Sequence, residues 1–286
     1  MVWAIGIHGG AGRPSSDSPR ERTVLDQALA WAEAKLSGGT HALDVVEGAI
    51  RILEDSGVFI AGKGAQPNSA GNWELDASIC DGATRRTGAV AALAGAYPPI
   101  SIARVVMERT SNVLLVGAGA QSFALEAGFS PIAEPAEFFT PVSLRASNQP
   151  THGTVGATAL DTSGKIAAGT STGGLTGKRP GRVGDSAICG AGTWADALVG
   201  VSCTGQGEYF IRTAAAASVA GYYRHVEKSL SRALSDVLGK VADLGGEGGL
   251  IAVDCDGNVD FRFNSPCMRI GMADSKGTRR VDIVAR

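Results

Sequence analysis

Residues 151–172 read THGTVGATALDTSGKIAAGTST, and this stretch predicts two antiparallel strands joined by a tight turn. Small and β-branched residues dominate both halves, and polar residues separate them. Gly164 suits the left-handed position of a three-residue hairpin loop. With that loop, Asp161 pairs with Lys165. The register of the whole hairpin follows, because the numbers of opposed residues then add up to 326 (161 + 165).

This register places Thr154 opposite Thr172, with Cβ atoms expected about 4.5–5.5 Å apart. Such a pair is also common in ordinary sheets, where it has no catalytic role. A threonine hydroxyl is a weak nucleophile without a base, and none of the four histidines is well placed. Cutting the bond before Thr154 would free its α-amine, whose pKa of about 7.7–8.0 suits a base. Gly153 tolerates the strained backbone that such a cut needs, so Gly153-Thr154 is predicted to be a cleavage site.

Composition restricts the class of protein. The 286 residues suffice for one large domain or two ordinary ones, with 44% hydrophobic and 19% charged residues. A net charge of −2 argues against nucleic acid or an anionic membrane as partners. No apolar run is long enough to span a membrane, and the N-terminus lacks the pattern of a signal peptide. Five cysteines without a CxxC motif argue against disulfides, so we expect a cytoplasmic protein.

Periodicity predicts an α+β fold. Helices are expected over 19–36, 40–55 with Thr40 as cap, 100–109, 119–127, 206–225 and 227–243. Strands are expected over 2–7, 74–79, 87–93, 113–116, 154–160, 165–172, 198–203, 249–254 and 258–263, and 129–153 is expected to be a linker or exposed loop. Strands in consecutive hairpins with helices in pairs favour a layered α+β sandwich over a doubly wound sheet.

Two familiar motifs are present without the context that they need. Residues 169–173 read GTSTG, which matches the G-x-S-x-G turn of serine hydrolases, but the broken sequence after it predicts no helix. Residues 190–195 match a loose dinucleotide fingerprint without the preceding strand or the acidic partner. The histidines form no metal-binding pair, so no metal ligands are assigned.

Longer segments carry a resemblance to a known family. HGTVGATALD, GTSTGG, KRPGRVGDSAICGAG and SCTGQGE resemble the plant-type L-asparaginase and isoaspartyl (beta-aspartyl) peptidase family of N-terminal-nucleophile (Ntn) hydrolases, as do IHGGAG, GGTHALDVVEGAIRILEDS, ELDASICDG and GGLIAVDCDGNV. The resemblance implies a four-layer αββα sandwich over a single domain, 1–286. It also implies self-cleavage into an alpha subunit, 1–153, with a linker at about 141–153, and a beta subunit, 154–286. The pair is expected to dimerise again, as a dimer of alpha-beta heterodimers.

The resemblance also implies catalytic roles. Thr154 would be the nucleophile, and Thr172 would hydrogen-bond its hydroxyl. Thr204 and Gly205 would hold the oxyanion through a hydroxyl and a backbone N–H, and loss of one such donor typically costs about 10²–10³ in rate.

Further residues would hold the substrate. Arg182 and Asp185 would grip its α-carboxylate and α-amine, since a guanidinium and a carboxylate can clamp a zwitterionic amino-acid head. Gly205 and Gly207 would line the same pocket. An ion pair between Arg182 and Asp185 at the surface is the alternative interpretation of these two residues alone.

The implied reaction is acyl transfer on a small molecule, L-asparagine or a beta-aspartyl dipeptide. A glycosylasparaginase-like hydrolase is an alternative, although that branch and the threonine-aspartase proteases tend to have Asp where this chain has Gly153. A sandwich that only binds an amino acid, or a purely structural protein, is a further alternative.

The chain departs from the family pattern at Ile60, where Asn is usual, at Gln206, where Thr is usual, and at Cys267, where Gly is usual. These departures bear on substrate preference and on the speed of processing. No catalytic cofactor is expected. The family often binds a structural sodium ion through backbone carbonyls, which here would belong to the 53–63 loop.

Overall fold

The computed structural model describes residues 1–14, 18–141 and 153–286. The helices of this part of the chain are α1 (Ser18–Ser37), α2 (Ala42–Asp55), α3 (Pro99–Arg109), α4 (Gly117–Glu126), α5 (Pro135–Phe138), α6 (Gly207–Arg212), α7 (Ala215–His225) and α8 (Leu230–Asp243). The strands are β1 (Ala4–Gly12), β2 (Leu75–Asp81), β3 (Thr87–Leu93), β4 (Leu114–Val116), β5 (Val155–Leu160), β6 (Ile166–Thr172), β7 (Thr193–Ala195), β8 (Val199–Gly205), β9 (Gly248–Asp254), β10 (Val259–Phe263), β11 (Cys267–Asp274) and β12 (Arg279–Ala285). The fold is therefore mixed α+β, as the periodicity predicts.

The strands form two sheets. The larger sheet has the order β12-β11-β1-β5-β6-β2-β3-β4, and the smaller one has the order β10-β9-β8-β7. Helices α1, α2 and α3 pack on the larger sheet, and α7 and α8 pack on the smaller one. Strands β1, β5 and β6 contact β8 and β9, so the two sheets also pack on each other. Apolar side chains such as Ile251, Met268 and Ile270 fill part of that interface, and small residues and buried hydroxyl groups fill the rest.

The hairpin of β5 and β6 has the predicted register. Val155 lies opposite Ser171, and Leu160 lies opposite Ile166. The Asp161 N–H donates to the Lys165 carbonyl at 2.9 Å. Gly164 has a φ of +80°, as the three-residue turn requires. The turn therefore sets the hairpin register from local sequence alone.

The predicted cap of the second helix is wrong. Helix α2 begins at Ala42 rather than after Thr40, and its N-cap residue, His41, makes no side-chain cap hydrogen bond. Instead, the Asp161 carboxylate accepts from the Ala42 N–H at 2.9 Å. A carboxylate at a helix N-terminus is favourable because it meets the positive end of the helix dipole. The hairpin turn and the helix that covers it are thereby joined.

Other differences have local causes. The helix predicted over 206–225 is divided into α6 and α7, because Ala214 takes a left-handed backbone conformation with φ of +45°. Strand β7, which is three residues long, and the C-terminal hairpin of β11 and β12 are not predicted by the periodicity. Helix α5 lies in the segment expected to be a loop. Of the expected linker at 141–153, residues 142–152 lie outside the described residues.

The core has a separate part on each sheet. One cluster of buried side chains joins α1, α2 and α3 to the larger sheet, and another joins α7 and α8 to the smaller sheet. Over the described ranges, none of the helices combines the length and apolar character needed to cross a bilayer.

Candidate active site

Three predicted threonines meet where strands of the two sheets end. Thr154 lies just before β5, Thr172 ends β6 and Thr204 lies near the end of β8. All three are buried. The Thr154 hydroxyl donates to the Thr172 hydroxyl oxygen at 3.1 Å, so the hairpin brings the predicted pair into contact.

Thr172 also contacts the peptide bond predicted to be cut. Its hydroxyl donates to the Gly153 carbonyl oxygen at 2.8 Å. The Thr172 hydroxyl oxygen accepts from the Gly174 N–H at 3.0 Å, which fixes its position. The Thr172 hydroxyl thus joins the Thr154 hydroxyl to the Gly153 carbonyl group.

The scissile peptide is enclosed. Thr154 is only 6% exposed. A Cβ added at Gly153 would lie 2.5 Å from the Ile60 Cβ, so Ile60 packs directly on the Gly153 Cα. The cavity beside Gly153, Thr154 and Arg182 measures about 10 Å³, which is about the space that one water needs. The space beside Thr154 is therefore small while Gly153 stays joined to it.

Strand β1 lies beside Thr154. Gly10 has a φ of +102°, and a Cβ added there would lie 3.3 Å from both the backbone nitrogen and the carbonyl oxygen of Thr154. The next residue, Ala11, donates its N–H to the Thr204 hydroxyl oxygen at 3.2 Å. The proton of the Thr204 hydroxyl therefore stays free to donate. Gly205 lines the same cavity as Thr154, and Thr204 precedes it in β8.

His8, which no sequence motif singled out as a site residue, is fully buried beside Thr154. Its Nδ1 lies 3.2 Å from the Thr154 carbonyl oxygen, and its Nε2 lies 2.9 Å from the Ser202 hydroxyl oxygen. Burial lowers the pKa of His8 to about 3, so the ring is neutral. Because a carbonyl only accepts, Nδ1 carries the proton and Nε2 accepts from Ser202.

Ser202 begins a chain of buried hydroxyl groups. Its oxygen lies 2.7 Å from the Thr170 hydroxyl. The Thr193 hydroxyl donates to the Thr170 hydroxyl oxygen at 2.6 Å, and the Ser78 hydroxyl donates to the Thr193 hydroxyl oxygen at 2.8 Å. These residues lie alternately on the smaller and the larger sheet, so the chain links the sheets directly behind His8. Hydrogen bonds satisfy each of these buried groups, as the cost of burial requires.

Arg182 points into the cavity but does not pair with Asp185. Its guanidinium makes a two-pronged ion pair with Glu208, with both N–O distances at 2.9 Å. Glu208 is more than half exposed. The Glu208 carboxylate therefore orients Arg182, the residue predicted to bind the carboxylate of a substrate. The spacing of residues 182 and 185 in the sequence does not reveal this contact.

Asp185 is buried and lacks a partner for one oxygen. Its Oδ2 makes no hydrogen bond within the described residues. A Cβ added at Gly207 would lie 2.7 Å from Oδ1, and one added at Gly192 would lie 2.9 Å from Oδ2. Burial raises the pKa of Asp185 to about 7. A buried carboxylate with an unused oxygen is suited to an ammonium ligand. Gly207 packs on this carboxylate, next to the cavity.

The two other motifs and two of the positions that depart from the family pattern lie in ordinary structural positions. Ser171 of the G-x-S-x-G motif is fully buried, and no helix follows β6 directly. Residues 190–195 form a turn and β7 rather than the start of a helix. The Gln206 side chain accepts from the Glu247 N–H at 3.0 Å. Cys267 is buried opposite Gly12. In the described ranges, no three His, Cys, Asp or Glu side chains are grouped to hold a metal.

Comparison with known proteins gives consistent matches over the chain. A family profile described as asparaginase matches residues 1–151 and 134–283. An isoaspartyl peptidase of Salmonella typhimurium is 44% identical, covering 92% of this chain and 93% of its own length. An isoaspartyl peptidase of Escherichia coli is 42% identical, with coverage of 92% and 90%. A plant-type L-asparaginase of Pyrococcus horikoshii is 38% identical, with coverage of 93% and 94%.

Proposed function

The chain belongs to the asparaginase family, and on that premise we propose that it is a threonine amidohydrolase that cuts itself before Thr154. It is a hydrolase of small-molecule substrates, the β-amide of L-asparagine or of isoaspartyl peptides. The observation that carries the proposal is the Thr172 hydroxyl, which contacts both the Thr154 hydroxyl and the Gly153 carbonyl.

The first reaction of the proposal is self-cleavage. The Thr154 hydroxyl oxygen attacks the Gly153 carbonyl carbon while its proton passes to the Thr172 hydroxyl. Thr172 gives its own proton to the carbonyl oxygen, along the two observed hydrogen bonds. The C–N bond then breaks, the Thr154 nitrogen takes a proton, and an ester remains. Water hydrolyses this ester, leaving a Gly153 carboxylate and a free Thr154 α-amine.

The second reaction is hydrolysis of the substrate. The free amine of Thr154 takes the proton from its own hydroxyl, whose oxygen attacks the β-carbonyl. The Thr204 hydroxyl and the Gly205 N–H stabilise the negative oxygen that forms. Ammonia or an amine leaves with the proton, and water then cleaves the aspartyl ester with the same amine as base. The neutral His8, which donates to the Thr154 carbonyl, holds the nucleophile in place without exchanging protons.

After cleavage, the Gly153 end would move away from Thr154 and enlarge the cavity. The amino-acid head group of the substrate would then occupy this space. Arg182 is expected to bind the α-carboxylate and Asp185 the α-ammonium group. The unpartnered Asp185 Oδ2 supports this assignment, since an ammonium group would supply its missing donor. Arg182 is held by Glu208 through two hydrogen bonds, which keep its guanidinium oriented before substrate arrives.

We also propose the finer architecture. Residues 1–286 would form one domain of four layers, αββα, in which 1–153 and 154–286 remain together after cleavage. The packing of α1–α3 on one sheet and of α7–α8 on the other supports this arrangement. A dimer of alpha-beta heterodimers is proposed, with Val113, Leu114 and Val116 at an exposed sheet edge as candidate contacts. Light scattering after gel filtration tests that assembly. A cytoplasmic location stays a prediction.

A structural sodium ion in the 53–63 loop is a further proposal. A Cβ added at Gly64 would lie 2.1 Å from the Phe59 carbonyl oxygen and 3.0 Å from the Gly57 carbonyl oxygen, so these carbonyls converge. Carbonyl oxygens suit a hard cation, and the Phe59 oxygen also accepts from the Ala61 N–H at 2.8 Å. The ion would supply charge that fixes the loop carrying Ile60. Atomic emission on dialysed protein would measure bound sodium.

A denaturing, reducing gel tests the self-cleavage directly. The wild-type chain is expected to give two fragments of 153 and 133 residues (286 less 153). Thr154→Ala is expected to stay whole and inactive. Thr158→Ala is the matched control, because Thr158 is buried in β5, which directly follows Thr154, and its hydroxyl has no partner within the described residues. Active protein that remains a single whole chain contradicts the proposal.

Substrate preference needs a separate assay. Ammonia release from L-asparagine and leucine release from β-Asp-Leu should be compared on the same cleaved sample. Relatives of similar coverage carry the names isoaspartyl peptidase and plant-type L-asparaginase, so both substrates belong in the test. Cleaved protein that attacks neither would favour a different β-aspartyl amide, such as the glycosylated one.

A further inference from the structure

Two cysteines outside the catalytic cavity lie side by side. The Sγ atoms of Cys80 and Cys189 are 3.8 Å apart, and both thiols are free. Cys80 is buried in β2 of the larger sheet. Cys189 is partly exposed, in the irregular segment between the turn that holds Asp185 and strand β7. The pair therefore bridges two distant parts of the sequence.

The surroundings of the pair favour reaction at Cys189. Its hydrogen bond with the Cys80 thiol lowers the pKa of Cys189 to about 7, although partial burial acts in the opposite direction. The Thr87 hydroxyl and the positive charge of Arg85 lower this pKa further. That hydrogen bond and burial raise the pKa of Cys80. Because a thiolate is the reactive form, a small oxidant would meet Cys189 first.

We propose that Cys80 and Cys189 are a peroxide-oxidisable thiol pair that closes to a disulfide. The Cys189 thiolate attacks one oxygen of hydrogen peroxide, the O–O bond breaks, and with one proton the products are Cys189 sulfenic acid and water. The Cys80 thiol sulfur then attacks the Cys189 sulfur. The S–S bond forms, the S–O bond breaks, and the hydroxyl group leaves as water with the thiol proton. Two thiols are oxidised and one peroxide is reduced.

The geometry allows this closure. A disulfide has an S–S length of about 2.05 Å, so the two sulfurs must approach by about 1.8 Å. Cys80 is held in a paired strand, opposite Thr87 on one side and Ala168 on the other. Cys189 lies outside the named strands, and its backbone pairing in the described part of the chain is an isolated bridge with Thr193. The movement is therefore expected at Cys189, where fewer backbone hydrogen bonds constrain the chain.

The bond would have a particular consequence for the processed protein, and this step rests on the proposed self-cleavage. Cys80 belongs to residues 1–153 and Cys189 to residues 154–286. After the cut before Thr154, oxidation would join the two fragments covalently. It would also tie the segment next to Asp185 to the larger sheet, so peroxide is expected to stabilise the assembled pair against dissociation in denaturant.

A thiol count tests the pair without reference to activity. Purified protein is treated with an equal amount of hydrogen peroxide, denatured, and labelled with N-ethylmaleimide. Intact mass is expected to show that labelled thiols fall from five to three. Cys255→Ala is the matched control, because Cys255 is also partly exposed but burial raises its pKa. That variant should still lose two thiols, whereas Cys80→Ala and Cys189→Ala should form no intramolecular disulfide.

A non-reducing gel tests the consequence. Oxidised, cleaved protein is expected to run as one band at the mass of the whole chain and to separate into two fragments after reduction. The proposal is overturned if all five thiols remain in the wild type, or if the crosslinked peptide lacks Cys80 or Cys189. A single band even after reduction would instead contradict self-cleavage, and the thiol count would still decide on the pair.

Discussion

Replacing Thr172 by valine removes one hydroxyl at the centre of the cleavage geometry while keeping the shape of the side chain. In the intact chain that hydroxyl accepts from the Thr154 hydroxyl at 3.1 Å and from the Gly174 N–H at 3.0 Å. It donates to the Gly153 carbonyl at 2.8 Å. The variant would therefore lose both the proton acceptor of the nucleophile and the donor that stabilises the attacked carbonyl oxygen.

The size of the effect follows from these contacts. Loss of a single donor to a developing oxyanion typically costs about 10²–10³ in rate, or about 2.7–4 kcal/mol. We therefore expect Thr172→Val to slow self-cleavage by at least about a hundredfold. The Gly174 N–H would also lose its partner, and a buried unsatisfied group costs about 1–3 kcal/mol of folding stability. Thr172→Ser keeps the hydroxyl and should cleave at a rate near that of the wild type.

The assay is the fraction of cleaved chain over time on a reducing gel, with the thermal midpoint of each variant measured alongside. Thr158→Val is the control, because it makes the same change in the neighbouring strand at a hydroxyl without a partner within the described residues. That control should cleave at the wild-type rate and be at least as stable. If Thr172→Val also cleaves at the wild-type rate, the proton path through Thr172 is wrong.

Two more predictions follow from the site. Since the pKa of Asp185 is raised to about 7 and that of a free α-amine is about 7.7–8.0, kcat/KM should fall as pH decreases below 8, with a slope approaching two. Asp185→Asn should reduce this slope to one, and an unchanged slope would show that Asp185 does not titrate in this range. Gly153→Ala should slow cleavage about tenfold or more, because its Cβ would lie 2.5 Å from that of Ile60 and overpacking costs about 1–3 kcal/mol. Adding Ile60→Ala should restore much of the rate, as a gel time course would reveal; no recovery would mean that this contact is not the cause.

The features that the sequence predicted correctly depend on neighbours in the chain. Gly164 marks the turn, the turn determines which residues are opposed, and opposition brings Thr154 to Thr172. Helix α2 is recognisable from its apolar stripe for the same reason. The predicted cap of that helix is wrong because the group that accepts from its first N–H, the Asp161 carboxylate, lies 119 residues away in the sequence. No local pattern reports such a contact.

The chain of buried hydroxyl groups and the contact of His8 could not be predicted for the same reason. Thr170 and Ser202 are visible in the sequence as polar residues inside apolar strands, and this signal marks both as unusual. Their partners become known only when the two sheets face each other and Thr193 joins them. The role of His8 likewise depends on β1 lying next to β5, a pairing of strands that are far apart in the sequence.

The chain has 40 glycines among 286 residues, and the interface of the two sheets explains part of this content. A Cβ added at Gly156 would lie 2.0 Å from the Ser202 hydroxyl oxygen and 2.4 Å from the His8 Nε2. Glycine there leaves room for the hydrogen bond that fixes the His8 ring, and that ring in turn holds the Thr154 carbonyl. A larger residue would separate the sheets or expel the polar chain. The close approach of the two sheets and the position of Thr154 therefore both depend on the small residues that follow Thr154 in β5.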